Sequence, residues 1–326
     1  MPPPPDLSSY RLSDADSQRI FLEEILPAEF PVSGGAPSPS TRGQPLAVLA
    51  VGQTGAGKTR LAPALLQALS AVAPAPTHLI ADTYKTYHPS YARLMQTAPQ
   101  HASAATGPDA RRWLAQAARE ATARRVDVVL ESACRHPDDF AELAALFRAA
   151  GYRVEVVVMA VPAALSRLGI LARFYSRAPE AHSRGLPVRL TPTKVHEDAY
   201  AGLLRAAAWL DEDGAKADQV VVLRRGNLVA YGWERGGGEA STIEAAVERE
   251  RCRPLTEVER RIALEDVQKL DEHEEAREQL EEVKGLLKPL IEDGAQDGTH
   301  SPLVPLVFAQ KDGDERASNV LRLGYV

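Results

Sequence analysis

Residues Gly52-Gln53-Thr54-Gly55-Ala56-Gly57-Lys58-Thr59 match the pattern GxxxxGK[ST] in full. They directly follow the continuous apolar run Leu46 to Val51 and open the Leu- and Ala-rich stretch Lys58 to Ala71. A buried strand, a glycine loop and a helix in that order leave few folds open to the chain. Glycines let the backbone approach phosphate oxygens where a Cβ would collide. Successive amides then point into one concavity, and the helix that starts near Lys58 adds the positive end of its dipole. The Lys58 ammonium is placed to reach the β and γ phosphates, and the Thr59 hydroxyl to hold Mg²⁺. The loop therefore predicts a nucleoside triphosphate ligand, ATP with Mg²⁺, and a small-molecule kinase.

The rest of the chain fits the same class. Further strands are predicted over His78 to Ala81, Val126 to Leu130, Arg153 to Val161 and Gln219 to Arg224. Helices are predicted over Pro108 to Arg124, Pro137 to Ala150, Pro162 to Tyr175 and Lys194 to Asp211. Gly151 suits a left-handed cap on the second of these helices. Gly226-Asn227 followed by Leu228 to Tyr231 reads as a hairpin. Alternating strands and helices mean an α/β fold of the P-loop NTPase and kinase class, a parallel sheet flanked by helices. Residues 1–44 read as a lead-in with a short amphipathic helix from Ser17 to Leu26 and a Gly/Ser/Pro linker. Residues 45–235 form the kinase domain, and residues 236–326 a charged, helical C-terminal extension. Within the extension, Leu264, Val267, Leu270, Leu280, Val283, Leu286 and Leu287 suggest an apolar stripe. The stripe fits either a helix packed on the core or a partner-binding arm.

In parallel sheets ligands sit beyond the carboxyl ends of the strands. Three predicted strand ends carry polar groups there: the glycine loop, Asp82 and Glu131. Asp82 fits a base that takes the proton of an acceptor hydroxyl, or a helix N-cap. Glu131 fits an acceptor of hydrogen bonds from substrate hydroxyls, or an ordinary surface carboxylate, and Arg135 joins it as a substrate-side candidate. Cys134 reads as a small space-filler. Arg167, Arg173, Arg177, Arg184 and Arg189 precede the helix from Lys194, and Gly185, Pro187 and Pro192 imply a movable loop among them. A phosphoryl-transfer site needs positive charge on the migrating group, which such a segment supplies. Solvated charge accounts for Arg167, Arg177 and Arg184, and capping and packing for His196 and Asp198.

Composition narrows the partners. A formal net charge of −6 over 326 residues gives no general attraction to nucleic acid. Two distant cysteines, Cys134 and Cys252, make neither a disulfide framework nor a zinc site. No stretch approaches the ~20 apolar residues of a membrane span. The N-terminus lacks the basic and apolar regions of a signal peptide. A cytoplasmic protein is predicted, without nucleic-acid or membrane partners.

Together the segments "VGQTGAGKT", "ADTYKTYHPSY", "VVLESACRHP", "AAGYRVEVVVMAV" and "LARF…LPVRLTPTKVHEDAY" resemble the zeta toxin family of bacterial toxin–antitoxin kinases. The resemblance runs from about Ile25 to Tyr231. It implies a P-loop kinase that moves the ATP γ-phosphate to the sugar 3′-hydroxyl of UDP-N-acetylglucosamine. It also implies silencing by a small helical antitoxin. The family's Walker lysine matches Lys58, its catalytic base Asp82, its substrate-binding glutamate Glu131, and its two γ-phosphate arginines Arg173 and Arg189. The family's strand-end motif Glu-Gly-Thr is Glu131-Ser132-Ala133 here, which would fit a changed acceptor. Two other readings stand beside it: a related phosphotransferase acting on an antibiotic, a nucleotide or NAD, and a nucleotide-dependent switch whose output is the helical extension.

Overall fold

The computed structural model describes residues 6–31, 39–40, 43–71, 76–183, 190–212, 214, 216–236, 241–292, 300–309 and 318–325. Helices α1 (Asp14–Ile20) and α2 (Leu26–Glu29) are joined by the π-helical turn Phe21–Ile25 into one lead-in. This lead-in is longer than the predicted helix because Ser13 caps it by accepting from the Asp16 amide. Then follow β1 (Leu46–Val51), α3 (Lys58–Ser70), β2 (Thr77–Ile80), α4 (Tyr91–Thr97), α5 (Pro99–Arg124) and β3 (Val128–Ser132). Next come α6 (Pro137–Ala149), β4 (Arg153–Met159), α7 (Ala163–Ser183), α8 (Thr193–Asp211), β5 (Gln219–Arg224) and β6 (Leu228–Glu234). The C-terminal part holds α9 (Ile243–Cys252), α10 (Glu257–Leu270), α11 (Arg277–Glu292), β7 (Val304–Pro305), β8 (Val307–Phe308) and β9 (Val320–Leu321).

Seven strands form one sheet in the order β2-β3-β1-β4-β5-β6-β7. The first five are parallel; β6 and β7 run antiparallel at one edge. Strands β1, β4 and β5 are buried at every residue, as strands covered on both faces must be. The predicted hairpin forms with a three-residue turn, Arg225 to Asn227, in which Gly226 and Asn227 both have positive φ (77° and 56°). Gly151 caps α6 at φ 79°. Helix α5 begins nine residues before the predicted start. Pro108 lies inside it rather than opening it, and Ala102, Ala105 and Thr106 ahead of that proline are buried.

The chain leaves β1 toward β2 on one flank and β3 toward β4 on the other, which opens a crevice at the carboxyl edge beside β1. The C-terminal segment does not stand free. Ala263, Leu270, Leu280, Val283 and Leu287 share one apolar cluster with Leu61 and Leu65 of α3 and Leu168 of α7. The Leu323 and Gly324 amides donate to the Glu155 carboxylate of β4 at 2.8 and 2.9 Å. Among the described residues, no helix is long and apolar enough to cross a membrane.

Candidate active site

The loop after β1 is shaped by its glycines and wedged from behind. Gly55 and Gly57 have φ of 83° and 110°, left-handed values that side chains rarely adopt. A Cβ on Gly55 would fall 2.1 Å from the Ser166 carbonyl of α7, so this residue has no room to be anything else. Among the described residues the Gly55 and Gly57 amides donate to no other loop or turn carbonyl. The Lys58 ammonium bends back to the Gly52 carbonyl and lies 3.4 Å from that of Gln53. The Thr59 hydroxyl stands on the exposed first turn of α3. Thr54 is half-buried and Ala56 fully buried.

The Gln53 side chain points away from the cradle. Its amide donates to the Val161 carbonyl at 2.6 Å and reaches the Ser166 hydroxyl at 3.3 Å. Ser166 in turn pairs with His196 Nε2 at 2.7 Å. Burial, followed by Arg167 and Arg251, pushes the His196 imidazole down to about 4, so it is neutral and its role is structural. Arg225 clamps the loop from the hairpin side, donating to the Gly55 and Leu165 carbonyls, each at 2.8 Å. Ser166 and Arg225 have no local sequence signal, because the loop residues they hold, Gln53 and Gly55, lie more than a hundred residues away along the chain.

Across the crevice the groups are side chains. Asp82 falls two residues beyond β2 at the N-cap position of the 3₁₀ turn Thr83–Tyr87, makes no side-chain cap bond there, and accepts from Lys85 at 2.5 Å; its carboxylate is largely exposed. Glu131 lies inside β3 rather than after it, is buried, and pairs with His78 Nε2 at 2.8 Å. His78 of β2 was not singled out from sequence. Its signal was the alternation of β2, which puts it on the same sheet face as its neighbour Glu131, paired across the register Ile80–Glu131. Ser132 turns its hydroxyl to the Cys134 amide at 3.2 Å. Cys134 is buried at φ 51°, and burial drives its thiol up to about 12, so it is an inert filler. Arg135 pairs with Asp198 of α8 at 3.5 Å and lines a groove of about 470 Å³ with Arg111, His136 and Trp209.

Electrostatics tie these pieces together. Burial lowers the Lys58 ammonium below its usual range; Asp82, Glu131 and Cys134 pull it back up, and Arg173 pushes it further down. Burial and the neighbouring Arg177 lower the Arg173 guanidinium, with Asp82 opposing. Lys58 thus lies within electrostatic reach of Asp82, Glu131 and Arg173, and Arg173 within reach of Asp82. Arg167 and Arg173 ride on α7, within the helix predicted over Pro162 to Tyr175; the helix runs eight residues further and carries Arg177 too, while Gly185 and Pro187 lie outside the described residues. Arg184 and Arg189 lie outside the described residues.

Comparison with known proteins bears on the family and the fold. The family model described as Zeta toxin matches residues 34–235. Toxin zeta of Enterococcus hirae is 27% identical over 188 residues, covering 56% of this chain and 62% of that protein. Toxin zeta of Streptococcus pyogenes is 26% identical over the same length, with 61% of that protein covered. The match thus spans about three fifths of the length of these relatives. Among solved structures, the PezAT chromosomal toxin–antitoxin system of Streptococcus pneumoniae superposes with a TM-score of 0.63 at 17% identity. That superposition covers 81% of this chain and 98% of the other, and it shows a common fold. With the glycine loop, the parallel sheet and a family match over most of the chain in agreement, this protein belongs to the Zeta toxin family.

Proposed function

We propose that the protein is an ATP-dependent small-molecule kinase of the zeta toxin type, acting in the cytoplasm on a hydroxyl of UDP-N-acetylglucosamine. The observation that carries the reading is that Lys58, in the loop after β1, lies within electrostatic reach of Asp82, Glu131 and Arg173, beside Gly55 and Gly57 amides that donate to no loop or turn carbonyl among the described residues. ATP with Mg²⁺ would supply the phosphoryl group and a divalent charge to offset that of the phosphates. The residues fit that ligand: left-handed Gly55 and Gly57, whose amides donate to no loop or turn carbonyl among the described residues, and a lysine within the cradle, with no carboxylate in the loop to repel phosphate. Among the described residues no cluster of His, Cys, Asp and Glu could hold a metal alone. Thr59 would then share the magnesium with phosphate oxygens, as suits an ion that keeps few protein ligands.

In this reading the amides of residues 52–59 and Lys58 hold the β and γ phosphates. Asp82 accepts the acceptor hydroxyl's proton as the acceptor oxygen bonds to phosphorus and the bond to the β-phosphate oxygen breaks. Glu131 orients the acceptor by its hydrogen bonds, and Arg135 contributes from the neighbouring turn. Arg173, with Arg189, neutralises charge on the migrating group. A small helical antitoxin is the proposed protein partner, as the toxin–antitoxin description of the structural relative suggests.

A second reading changes only the acceptor: an antibiotic hydroxyl, a nucleotide or NAD. It is favoured by the turn after Glu131, where Ser132 spends its hydroxyl on the Cys134 amide and Cys134 is buried. Incubation with ATP, Mg²⁺ and a panel of sugar nucleotides, nucleotides and NAD, read by mass spectrometry for the gain of one phosphate, separates the two. Absence of any phosphorylated product would leave nucleotide-dependent switching as the function.

A further inference from the structure

Helix α7 lies between the phosphate loop and the C-terminal helices. One side meets the loop at Ser166, whose carbonyl abuts Gly55, and at Gly169, where a Cβ would come 3.2 Å from the Gly55 carbonyl. The other side packs on α10 and α11. The contacts to the loop end at Ile170, yet α7 runs on, and from Ala172 to Arg177 no residue is buried. Arg173 sits in that outlying turn. What meets the turn comes from the C-terminal segment: the Tyr175 ring lies 4.7 Å from the His273 ring at 32°. About two turns back, beside the loop contact, Arg167 pairs with Glu282 of α11. His273 is itself fixed in the bend between α10 and α11, donating its amide to Leu270 and accepting from Ala276.

We propose that His273 and Glu282 are positioning residues that hold α7 at two points, Glu282 at the turn beside the phosphate loop and His273 at the outlying turn, and thereby aim Arg173 at the phosphate site. The C-terminal segment is in this view a clamp that completes the kinase, neither a free arm nor an inhibitor. The proposal rests on the kinase reading for the role of Arg173, and on geometry alone for the clamp. A guanidinium that must meet developing charge gains from being held in place beforehand, since ordering it during the reaction would raise the barrier.

The test uses the full chain with His273→Ala and Glu282→Gln combined. Phe147→Leu, in the apolar cluster on the opposite face, serves as a control for general loss of stability. The double variant is expected to lower kcat about tenfold while KM for ATP moves by less than about twofold. Hydrogen exchange of residues 172–177 should accelerate in the double variant and stay slow in the control. The charge swap Arg167→Glu with Glu282→Arg should recover most of the turnover that Glu282→Gln alone removes. Unchanged exchange at 172–177 overturns the clamp whatever kcat does, and faster exchange with unchanged kcat overturns its action on Arg173. If the unaltered protein transfers phosphate to no acceptor, the kinase reading fails, and the exchange measurement still decides the clamp.

Discussion

At the end of β1 the cleft is built from main chain backed by buried polar groups. Gln53, Ser166, His196 and Arg225 all spend their hydrogen bonds behind the loop, and Gly55 has no room for a side chain. At the ends of β2 and β3 it is built from side-chain pairs, Asp82 with Lys85 and Glu131 with His78, standing on the surface or just under it. The first construction fixes a shape that suits one kind of ligand, because backbone amides cannot be exchanged by mutation. The second can change partners without disturbing the sheet. A family that keeps its phosphate donor and varies its acceptor would be built in this way.

Removing Lys58 should have the largest effect. Lys58→Ala takes the positive charge from the β and γ phosphates and is expected to cost a factor of about 10³ or more in turnover. Single-turnover phosphoryl transfer measures it, with circular dichroism to confirm the fold. Turnover within about tenfold of the unaltered protein would mean that the loop is not where charge is managed. Asp82→Asn comes next. It should lower kcat by about 10² to 10⁴, the usual worth of a positioned base, while calorimetry finds ATP affinity within about twofold. If ATP affinity falls as far as kcat, Asp82 belongs to the donor half and the division drawn here is wrong.

The same division explains what could be read from the sequence. Gly52 to Thr59 announce themselves because backbone geometry constrains residue type locally, and β1 begins and ends at the predicted residues. Asp82 and Glu131 could be placed at strand ends, but their partners could not. Lys85 is three residues from Asp82 and within reach of a helical turn, whereas His78 meets Glu131 only through the register of β2 on β3. Arg225 and Ser166 were invisible, since nothing near them in the chain reports a carbonyl brought there by the fold. The stripe in α10 and α11 was legible at Val267, Leu270, Leu280, Val283 and Leu287, while Leu264 and Leu286 are exposed, and its targets, α3 and α7, were not legible. A hydrophobic pattern tells which face is covered without naming what covers it.

A smaller effect tests how far the donor half depends on its buried backing. His196 titrates in the native state near 4 against an ordinary value of 6.5, so folding favours its neutral form. That contribution is present above pH 6.5 and is lost as pH falls from there toward 4. By pH 4.5 the loss amounts to about 2–3 kcal/mol. His196→Gln keeps a hydrogen-bonding group beside Ser166 and removes the titration. Its urea-unfolding free energy should therefore fall less steeply between pH 7 and 4.5 than that of the unaltered protein. Parallel slopes would show that the Ser166–His196 pair does not stiffen the loop through a neutral imidazole.

The smallest expected effect lies on the acceptor side. Glu131→Gln keeps the shape of the side chain and weakens its acceptance of hydrogen bonds from hydroxyls. It should raise KM for the acceptor by about tenfold, the worth of one charge-assisted bond, with KM for ATP unmoved. His78→Ala should change the acceptor KM less, by about threefold, because it frees Glu131 for the substrate while loosening the orientation that the 2.8 Å contact provides. The two changes act on one pair, so their effects should not add, and the double variant should resemble Glu131→Gln alone. Additive losses would mean that His78 meets the acceptor itself. A rise in KM for ATP in either variant would mean that the end of β3 serves the donor too, and the two halves of the cleft would then have to be understood as one.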